Sequence, residues 1–224
     1  MKKHQKILVW ACLAALAVWV VAPLRILLLP LVYYNTHVHE LCHALAGVLT
    51  GGRVDFVHVL ADGSGVTQTA GGNPFLLASA GYVGSSIVGG LLIFGSGTSE
   101  SARKMLWVAA GFLAFSMLLF VRGDAVGVLS GLAWIAALSL GALFLRGDAS
   151  VFAAQFLGAQ QCLTSLQAFL ALIAVTANDM GHSDAGNMEQ VTGVPAIVWS
   201  LAWLVFSLAA IGVGLRSAWH NRRT

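Results

Sequence analysis

Long apolar segments recur along the whole chain, and they constrain its fold more than any other feature. Of the 224 residues, 58% are hydrophobic and only 9% are charged, whereas average soluble domains contain about 25% charged residues. A helix of roughly 20 mainly apolar residues is long enough to cross the hydrocarbon core of a bilayer. The sequence therefore predicts an all-α integral membrane protein with six to seven transmembrane helices.

Seven apolar segments are separated by short polar stretches that contain glycine, proline or charged residues. The segments run approximately over residues 7–24, 26–50, 75–94, 105–121, 125–145, 151–177 and 194–215. Connections this short leave no room for a separate soluble domain. Residues 1–224 are therefore predicted to form a single multi-pass membrane domain.

The basic residues near the two ends of the chain indicate its orientation. Lys2, Lys3 and Lys6 precede the first apolar segment, and no small-residue cleavage site follows it, so the segment is predicted to be a retained span. The positive-inside rule predicts a cytoplasmic N-terminus, in a multi-pass protein of the cell membrane. Seven full spans would place the basic C-terminal end, from Arg216 onwards, on the opposite side, which the same rule disfavours. One segment is therefore expected to be re-entrant or broken.

The formal net charge of +3 does not indicate a nucleic-acid partner. The basic residues are scattered at the ends of apolar segments instead of forming one stripe. The expected surroundings are the lipid bilayer, with no nucleic acid. Cys12, Cys42 and Cys162 lie within apolar segments and form no CxxC pair, so we predict neither a disulfide framework nor a sulfur-ligated metal site.

The polar stretch after the second apolar segment predicts β structure. β-branched residues lie on both sides of the turn-forming sequence Asp62-Gly63-Ser64-Gly65, a pattern typical of a short β-hairpin over about residues 53–69. Backbone polar groups without partners are unfavourable in lipid. The hairpin is therefore expected at the membrane interface or in a cavity lined by protein.

The second apolar segment contains the motif His39-Glu40-Leu41-Cys42-His43. Helical residues four apart share one face, so His39 and His43 can bind the same metal ion. Glu40 can act as the general base for a water activated by that metal. Ionisable groups inside a membrane helix cost at least ~2.5–3.5 kcal/mol each on insertion scales, which favours a functional explanation. The motif predicts a zinc metalloendopeptidase site.

A catalytic zinc site needs a third protein ligand. In the metzincin pattern this ligand is a histidine six residues after the second one, where the chain has Leu49, so that class is excluded. The third ligand is expected from a distant segment. The polar cluster over residues 178–189 offers the most donors, and its candidates are Asp179, His182 and Asp184.

Other polar or small residues are predicted to be structural. His37 lies two residues before His39, about 200° around the helix, so its ring is expected to hydrogen-bond to another helix. The glycines, alanines and serines of residues 78–86 are expected to form a helix-packing face. A further three aspartates occupy turn-like contexts and are expected to be explained by solvation: Asp62, Asp124 and Asp148.

Several motifs, in order along the chain, resemble the M50 family of intramembrane metalloproteases, the site-2 protease clan, and more closely its M50B-like bacterial branch. The matching sequences are HELCHA at 39–44, GGRV at 51–54, DGSGVT at 62–67, SAGYVG at 79–84, SDA at 183–185 and TGVP at 192–195. The resemblance implies zinc held by the two motif histidines and a distant aspartate, with the motif glutamate activating water. Asp184, in its Ser-Asp-Ala context, is the preferred third ligand and Asp179 the alternative, since the typical Leu-Asp-Gly context is absent.

Three functional hypotheses remain open. The first is a single membrane peptidase domain that cleaves a membrane-protein or peptide substrate, with the hairpin offering a strand edge to an unwound segment. The second is a non-proteolytic membrane scaffold or metal-binding protein that retains the motif. The third is a transporter, for which the sequence has neither paired half-helices nor a charge relay. Cleavage that depends on Glu40 distinguishes the first hypothesis from the second.

Overall fold

The computed structural model describes residues 1–175 and 183–220, and it is 79% helical, which confirms the predicted all-α class. In the described residues, a 3₁₀ turn over Ala22–Leu27 follows the first helix. The helices and strands are α1 (Lys3–Val20), α2 (Leu28–Leu49), β1 (Arg53–Val59), β2 (Gly65–Ala70), α3 (Pro74–Gly95), α4 (Ser99–Leu119), α5 (Ala125–Phe144), α6 (Asp148–Val175), α7 (Asp184–Thr192) and α8 (Ala196–His220).

Five of the described helices are long and apolar enough to cross a membrane, namely α1, α3, α4, α5 and α8. Helices α2 and α6 are of similar or greater length, with 22 and 28 residues, and they carry more polar side chains. Helix α3 lies at the centre of the bundle, where it packs against α2, α6 and α8. The predicted multi-helix membrane architecture is therefore confirmed.

Contacts between helix ends define one face of the bundle, which we term face A. The Lys3 ammonium lies 2.9 Å from the Asp148 carboxylate at the start of α6. The His4 ring nitrogen Nε2 lies 3.3 Å from the carbonyl oxygen of Trp219 at the end of α8. The beginning of α1 and the end of α8 therefore lie together on face A.

The opposite face, face B, is where α2 ends and α3 begins. The Ser99 and Ser150 hydroxyls lie 2.9 Å apart, which places the α3–α4 connection beside the start of α6 on face A. Because α3 is 22 residues long, its first residues lie on the opposite side. There the Asn73 backbone N–H donates to the Thr50 hydroxyl, with 2.9 Å between the nitrogen and oxygen atoms.

Helices α1 and α2 run in the same direction. The Trp134 indole N–H donates to the Pro30 carbonyl oxygen at 2.7 Å, and the His37 nitrogen Nε2 lies 3.0 Å from the Ser130 hydroxyl, closer to the start of α5. Helix α4 starts at face A and ends at face B, so α5 starts at face B. The two contacts show that α2 is antiparallel to α5, so α2 runs towards face B, as α1 does. The Ala22–Leu27 turn is thus the expected break, and both described chain ends lie on face A.

The predicted hairpin is present and is fixed to the helices along one edge. Strands β1 and β2 pair antiparallel, with a bulge between Val54 and Phe56. On the other edge of β1, the Val57 backbone N–H donates to the Phe120 carbonyl oxygen at 2.8 Å. In the connecting turn, hydrogen bonds from the Ser64 hydroxyl and backbone N–H hold the pKa of the exposed Asp62 carboxyl below its usual range.

Helix α7 was not predicted, although the sequence contains signals for both of its ends. The Ser183 side chain accepts from the Gly186 backbone N–H at 3.1 Å, which caps the first turn. Gly193 closes the helix with a φ of +71°, a conformation that glycine adopts readily. A short polar helix has no repeating pattern of apolar residues, so its two capping residues were the sequence features that could have predicted it.

Helix α4 starts earlier than its apolar residues predict. It begins at Ser99, whereas the apolar segment begins near Met105. The Thr98 hydroxyl accepts from the Ser101 backbone N–H at 3.1 Å, and a capping interaction of this kind satisfies an otherwise unpaired donor. The polar loop after α3 is correspondingly shorter than predicted.

The two Arg-Gly-Asp tripeptides place their aspartates in different environments. The Asp124 carboxylate caps α5 by accepting from Gly127 at 2.9 Å, and it also accepts from the Val59 backbone N–H of β1 at 2.7 Å. Asp148 forms an ion pair with Lys3, in which the side chains are 54% and 79% exposed. Asp124 therefore joins the hairpin to α5, whereas Asp148 forms a surface contact.

We expect Asp124→Ala to lower the free energy of unfolding by about 1–2 kcal/mol, because it removes a helix cap and a hairpin contact. Asp148→Ala is the matched control, with an expected loss of at most about 0.5 kcal/mol, since exposed ion pairs contribute little. Unfolding of both purified variants in detergent measures the difference. Equal losses would contradict the role assigned to Asp124.

Candidate metal centre

One face of α2 lines a cavity of about 720 Å³ that opens between α2, β2, α3 and α7. The lining residues of α2 recur every three or four positions, as one face of a helix requires. They are Val32, Asn35, Thr36, His39, Glu40 and His43. The motif is therefore displayed into a space large enough to hold part of a peptide chain.

Three potential ligand atoms converge at this cavity. The Nε2 atoms of His39 and His43 are 3.0 Å apart, and Asp184 Oδ2 lies 3.0 Å from the first and 3.1 Å from the second. Within the described residues, this is the one group of three or more histidine, cysteine or acidic side chains that is close enough to hold a metal ion. Asp184 is brought to the histidines by the first turn of α7.

The arrangement fits a zinc ion. Zinc–nitrogen and zinc–oxygen bonds of roughly 2.0–2.2 Å in a tetrahedral site place neighbouring ligand atoms roughly 3.3 Å apart. The three observed separations are within a few tenths of an ångström of that value. Each of the three atoms carries a lone pair, and a single proton can be shared between only two of the atoms. A single cation satisfies all three at once, and two histidines with one carboxylate form a known catalytic zinc set.

The His43 ring is oriented by a contact on its far side. The Nδ1–H group of His43 donates to the Leu77 carbonyl oxygen of α3 at 2.6 Å. A carbonyl oxygen only accepts, so this bond places the proton on Nδ1 and leaves the Nε2 lone pair directed at His39 and Asp184. The His39 ring packs edge-on against Tyr82, with 4.6 Å between the ring centroids.

Helix α3 approaches the two histidines closely because it has glycine at position 81. A Cβ atom on Gly81 would collide with the imidazole rings of both His39 and His43. One turn further along α3, a Cβ atom on Gly84 would lie 2.5 Å from the Cys42 sulfur. These glycines act as the small residues that allow membrane helices to pack closely. The packing face predicted for residues 78–86 therefore supports the candidate metal centre.

The Glu40 carboxylate is buried and is held by the hairpin. The Thr67 hydroxyl on β2 lies 2.6 Å from Glu40 Oε2 and 3.0 Å from the Glu40 carbonyl oxygen. A Cβ atom on Gly65 would lie 2.6 Å from Glu40 Oε1, so the start of β2 also needs a glycine for this approach. Thr36 fixes the hairpin turn by donating to the Gly63 carbonyl oxygen at 2.7 Å.

The structure brings together His39, Glu40, His43 and Asp184, the four residues preferred from the sequence. Their assignment as ligands and base remains a prediction. Asp179, the alternative ligand, and His182 lie outside the described residues. His37 points away from the centre towards Ser130 of α5, as its helical position predicts.

The supporting contacts of the candidate centre could not be predicted from the sequence. Thr67 and Tyr82 fell inside motifs of the family resemblance, but nothing in the sequence assigned them a partner. The Leu77 contact is made by a backbone carbonyl, which side-chain patterns do not predict. These contacts depend on how α3 and the hairpin pack against α2.

The expected solvation of three aspartates is only partly correct. Asp62 is exposed in the hairpin turn and Asp148 in a surface ion pair, as expected. Asp124 is instead engaged by three backbone N–H groups, those of Val59, Val126 and Gly127. None of the three takes part in the cluster at His39 and His43.

Comparison with known families identifies the relationship of the chain. A family model described as peptidase M50B-like matches residues 8–214, which is nearly the full length. No curated protein and no solved structure is significantly similar to the chain. The match covers all three residues of the ligand cluster as well as Glu40. The chain therefore belongs to the peptidase M50B-like family.

Proposed function

We propose that the protein is an intramembrane zinc endopeptidase that hydrolyses peptide bonds of membrane-embedded proteins or peptides. The observation that carries the proposal is the convergence of three ligand-type atoms, from His39, His43 and Asp184, beside a buried glutamate in a lined cavity. Membership of a peptidase family supports hydrolysis as the reaction. Helix α3 lines the cavity and is one of five described helices apolar enough to cross a membrane, which supports a membrane-embedded substrate.

In this proposal the two histidines and Asp184 hold the metal, and the chain supplies the proton transfers. Zinc bound there would supply a Lewis acid that polarises the scissile carbonyl group and lowers the pKa of water. Glu40 accepts the proton of the attacking water and delivers it to the leaving amine. The hydrogen bond from Thr67 keeps the Glu40 carboxylate in one position for both transfers.

Strand β2 is the proposed contact for the substrate main chain. Its partner in the described sheet is β1 alone, so its second edge is not paired in that sheet. Residues Gly65, Val66 and Thr67 of β2 line the same cavity as Glu40. A protease must reach backbone atoms that a helix keeps hydrogen-bonded, and an extended segment can pair with a free strand edge. The proposal therefore includes local unwinding of the substrate.

The alternative is a metal-binding membrane protein without turnover. It shares the three ligand atoms with the peptidase proposal, so metal content does not distinguish the two. The hydrogen-bonded Glu40 favours the peptidase, because a purely structural zinc site uses four protein ligands and needs no base. Catalysis that depends on Glu40 is the test.

We expect Glu40→Gln to reduce peptide cleavage by roughly 100- to 10,000-fold, the usual contribution of a general acid–base residue. Because Glu40 is not assigned as a ligand, the variant should retain stoichiometric zinc. Cleavage of a fluorogenic apolar peptide by purified protein in detergent, with zinc measured on the same sample, provides both values. Full activity in the Glu40→Gln variant would contradict the proposed role of Glu40. Absence of cleavage by zinc-loaded wild-type protein would favour the non-proteolytic alternative.

We expect Asp184→Asn to weaken zinc binding by at least about 100-fold, since even residues that only contact a ligand contribute 10- to 100-fold. Asp179→Asn is the comparison that tests the alternative third ligand, and it should retain zinc. Competition with a chromogenic chelator measures both affinities. Loss of zinc in Asp179→Asn together with retention in Asp184→Asn would reverse the assignment.

We expect Gly81→Ala to abolish stoichiometric zinc binding, because the added methyl group would displace the rings of His39 and His43. Gly90→Ala on the same helix is the matched control, since a Cβ atom there meets its nearest atom, the Ala210 carbonyl oxygen, at an ordinary 3.5 Å. The zinc content of both purified variants provides the comparison. Normal zinc content in Gly81→Ala would show that α3 does not hold the two rings in place.

A further inference from the structure

Asn35 has an unusual environment on the cavity face of α2. It lies one helical turn before His39, borders the cavity and is only 2% exposed. Neither its amide nitrogen Nδ2 nor its amide oxygen Oδ1 has a hydrogen-bond partner among the residues that the structure describes. Buried amides are hydrogen-bonded in most proteins, so a buried amide without a protein partner requires another explanation.

Neighbouring polar side chains on the same face all have at least one partner. Thr36 donates to Gly63 of the hairpin turn, Glu40 accepts from Thr67, and His43 donates to Leu77. The His39 atom Nε2 contacts Asp184. Asn35 is thus the residue on this face whose side-chain hydrogen-bonding groups are all unused in the described structure.

We propose that the Asn35 side chain binds the main chain of the peptide substrate, next to the bond that is cleaved. A carboxamide offers donor N–H groups and one acceptor oxygen. A peptide unit carries the same pair of groups, so the two can form complementary hydrogen bonds. The inference rests on the proposed peptidase function, for which it names the group that recognises the substrate backbone.

The position of Asn35 fits a contact beside the cleaved bond. Residues four apart on a helix have Cβ atoms about 5–6 Å apart, and an extended peptide rises about 3.3 Å per residue. A substrate whose scissile bond lies at His39 and His43 therefore presents to Asn35 a peptide unit one or two residues away. Asn35 binds that unit whatever the side chains of the substrate are, which suits a site that recognises an unwound backbone.

The experiment compares wild-type protein with Asn35→Leu, a substitution that keeps the branched shape and the number of heavy atoms but removes both hydrogen-bonding groups. Three zinc-directed probes are used. Acetohydroxamate carries no peptide chain, whereas acetyl-trileucine hydroxamate and the malonyl hydroxamate of trileucine amide extend from the metal in opposite directions. Gln155→Leu is the matched control, because Gln155 is also a buried amide but lies outside the cavity lining.

We expect Asn35→Leu to weaken binding of one of the two peptide hydroxamates about tenfold, while acetohydroxamate binding stays within about twofold. N-methylation of one peptide nitrogen in that probe should weaken its binding to wild-type protein but not to Asn35→Leu. Gln155→Leu should bind all three probes as the wild type does. Unchanged binding of both peptide probes, or equal weakening of all three, would overturn the inference.

Thermal unfolding without a probe provides a second, independent readout. A buried amide that is unpaired in the free protein gains nothing from its polar groups, so Asn35→Leu should unfold at the same temperature as the wild type or higher. A lower unfolding temperature would mean that Asn35 has a structural partner, and would overturn the inference. Failure of acetohydroxamate to bind zinc-loaded wild-type protein would instead refute the proposed function, and the role of Asn35 with it.

Discussion

The mutual approach of three electron-rich atoms is the constraint on which the rest of the candidate site depends. The histidine nitrogens and the Asp184 oxygen lie about 3 Å from one another inside an apolar bundle. Lone pairs at such separations repel unless a positive charge lies between them, and a low-dielectric environment strengthens that repulsion. The surrounding contacts fix the direction of these atoms. The Leu77 carbonyl oxygen fixes His43, and α7 delivers the carboxylate.

The bundle meets this constraint by packing different elements against α2. On one side, Gly81 and Gly84 let α3 come close enough for its backbone to contact an imidazole. On another side, the hairpin holds the Glu40 carboxylate, while Asp124 joins that hairpin to α5. The proposed ligand atoms and the proposed base are therefore held in position by different structural elements. Damage to the hairpin is expected to disturb Glu40 more than the ligand atoms.

The sequence was sufficient to predict the fold class and the part of the candidate site that lies within one helix, namely His39, Glu40 and His43. Apolar length predicted the helices, turn residues predicted the hairpin, and the helical period placed His39 and His43 on one face and His37 on another. For the proposed third ligand, the sequence indicated the residue type and an approximate region but not the position. Residues 141 positions apart meet only through packing that no local pattern encodes. The contact of Thr67 with Glu40 and the unpaired, buried amide of Asn35 could not be predicted from the sequence for the same reason. Helix α7 was not predicted from the sequence, although its two capping residues, Ser183 and Gly193, are recognisable there.

The long separation between His43 and Asp184 along the chain has a consequence for assembly. Helix α2 is among the first parts of the chain to be synthesised and α7 is among the last, so a complete ligand set forms only when nearly the whole bundle has folded. An ion held by all three residues closes a loop that contains most of the protein, and closing such a loop restrains the unfolded chain. In the proposed peptidase, metal binding is therefore expected to be completed only at the end of assembly, because partly assembled chains lack the carboxylate of Asp184.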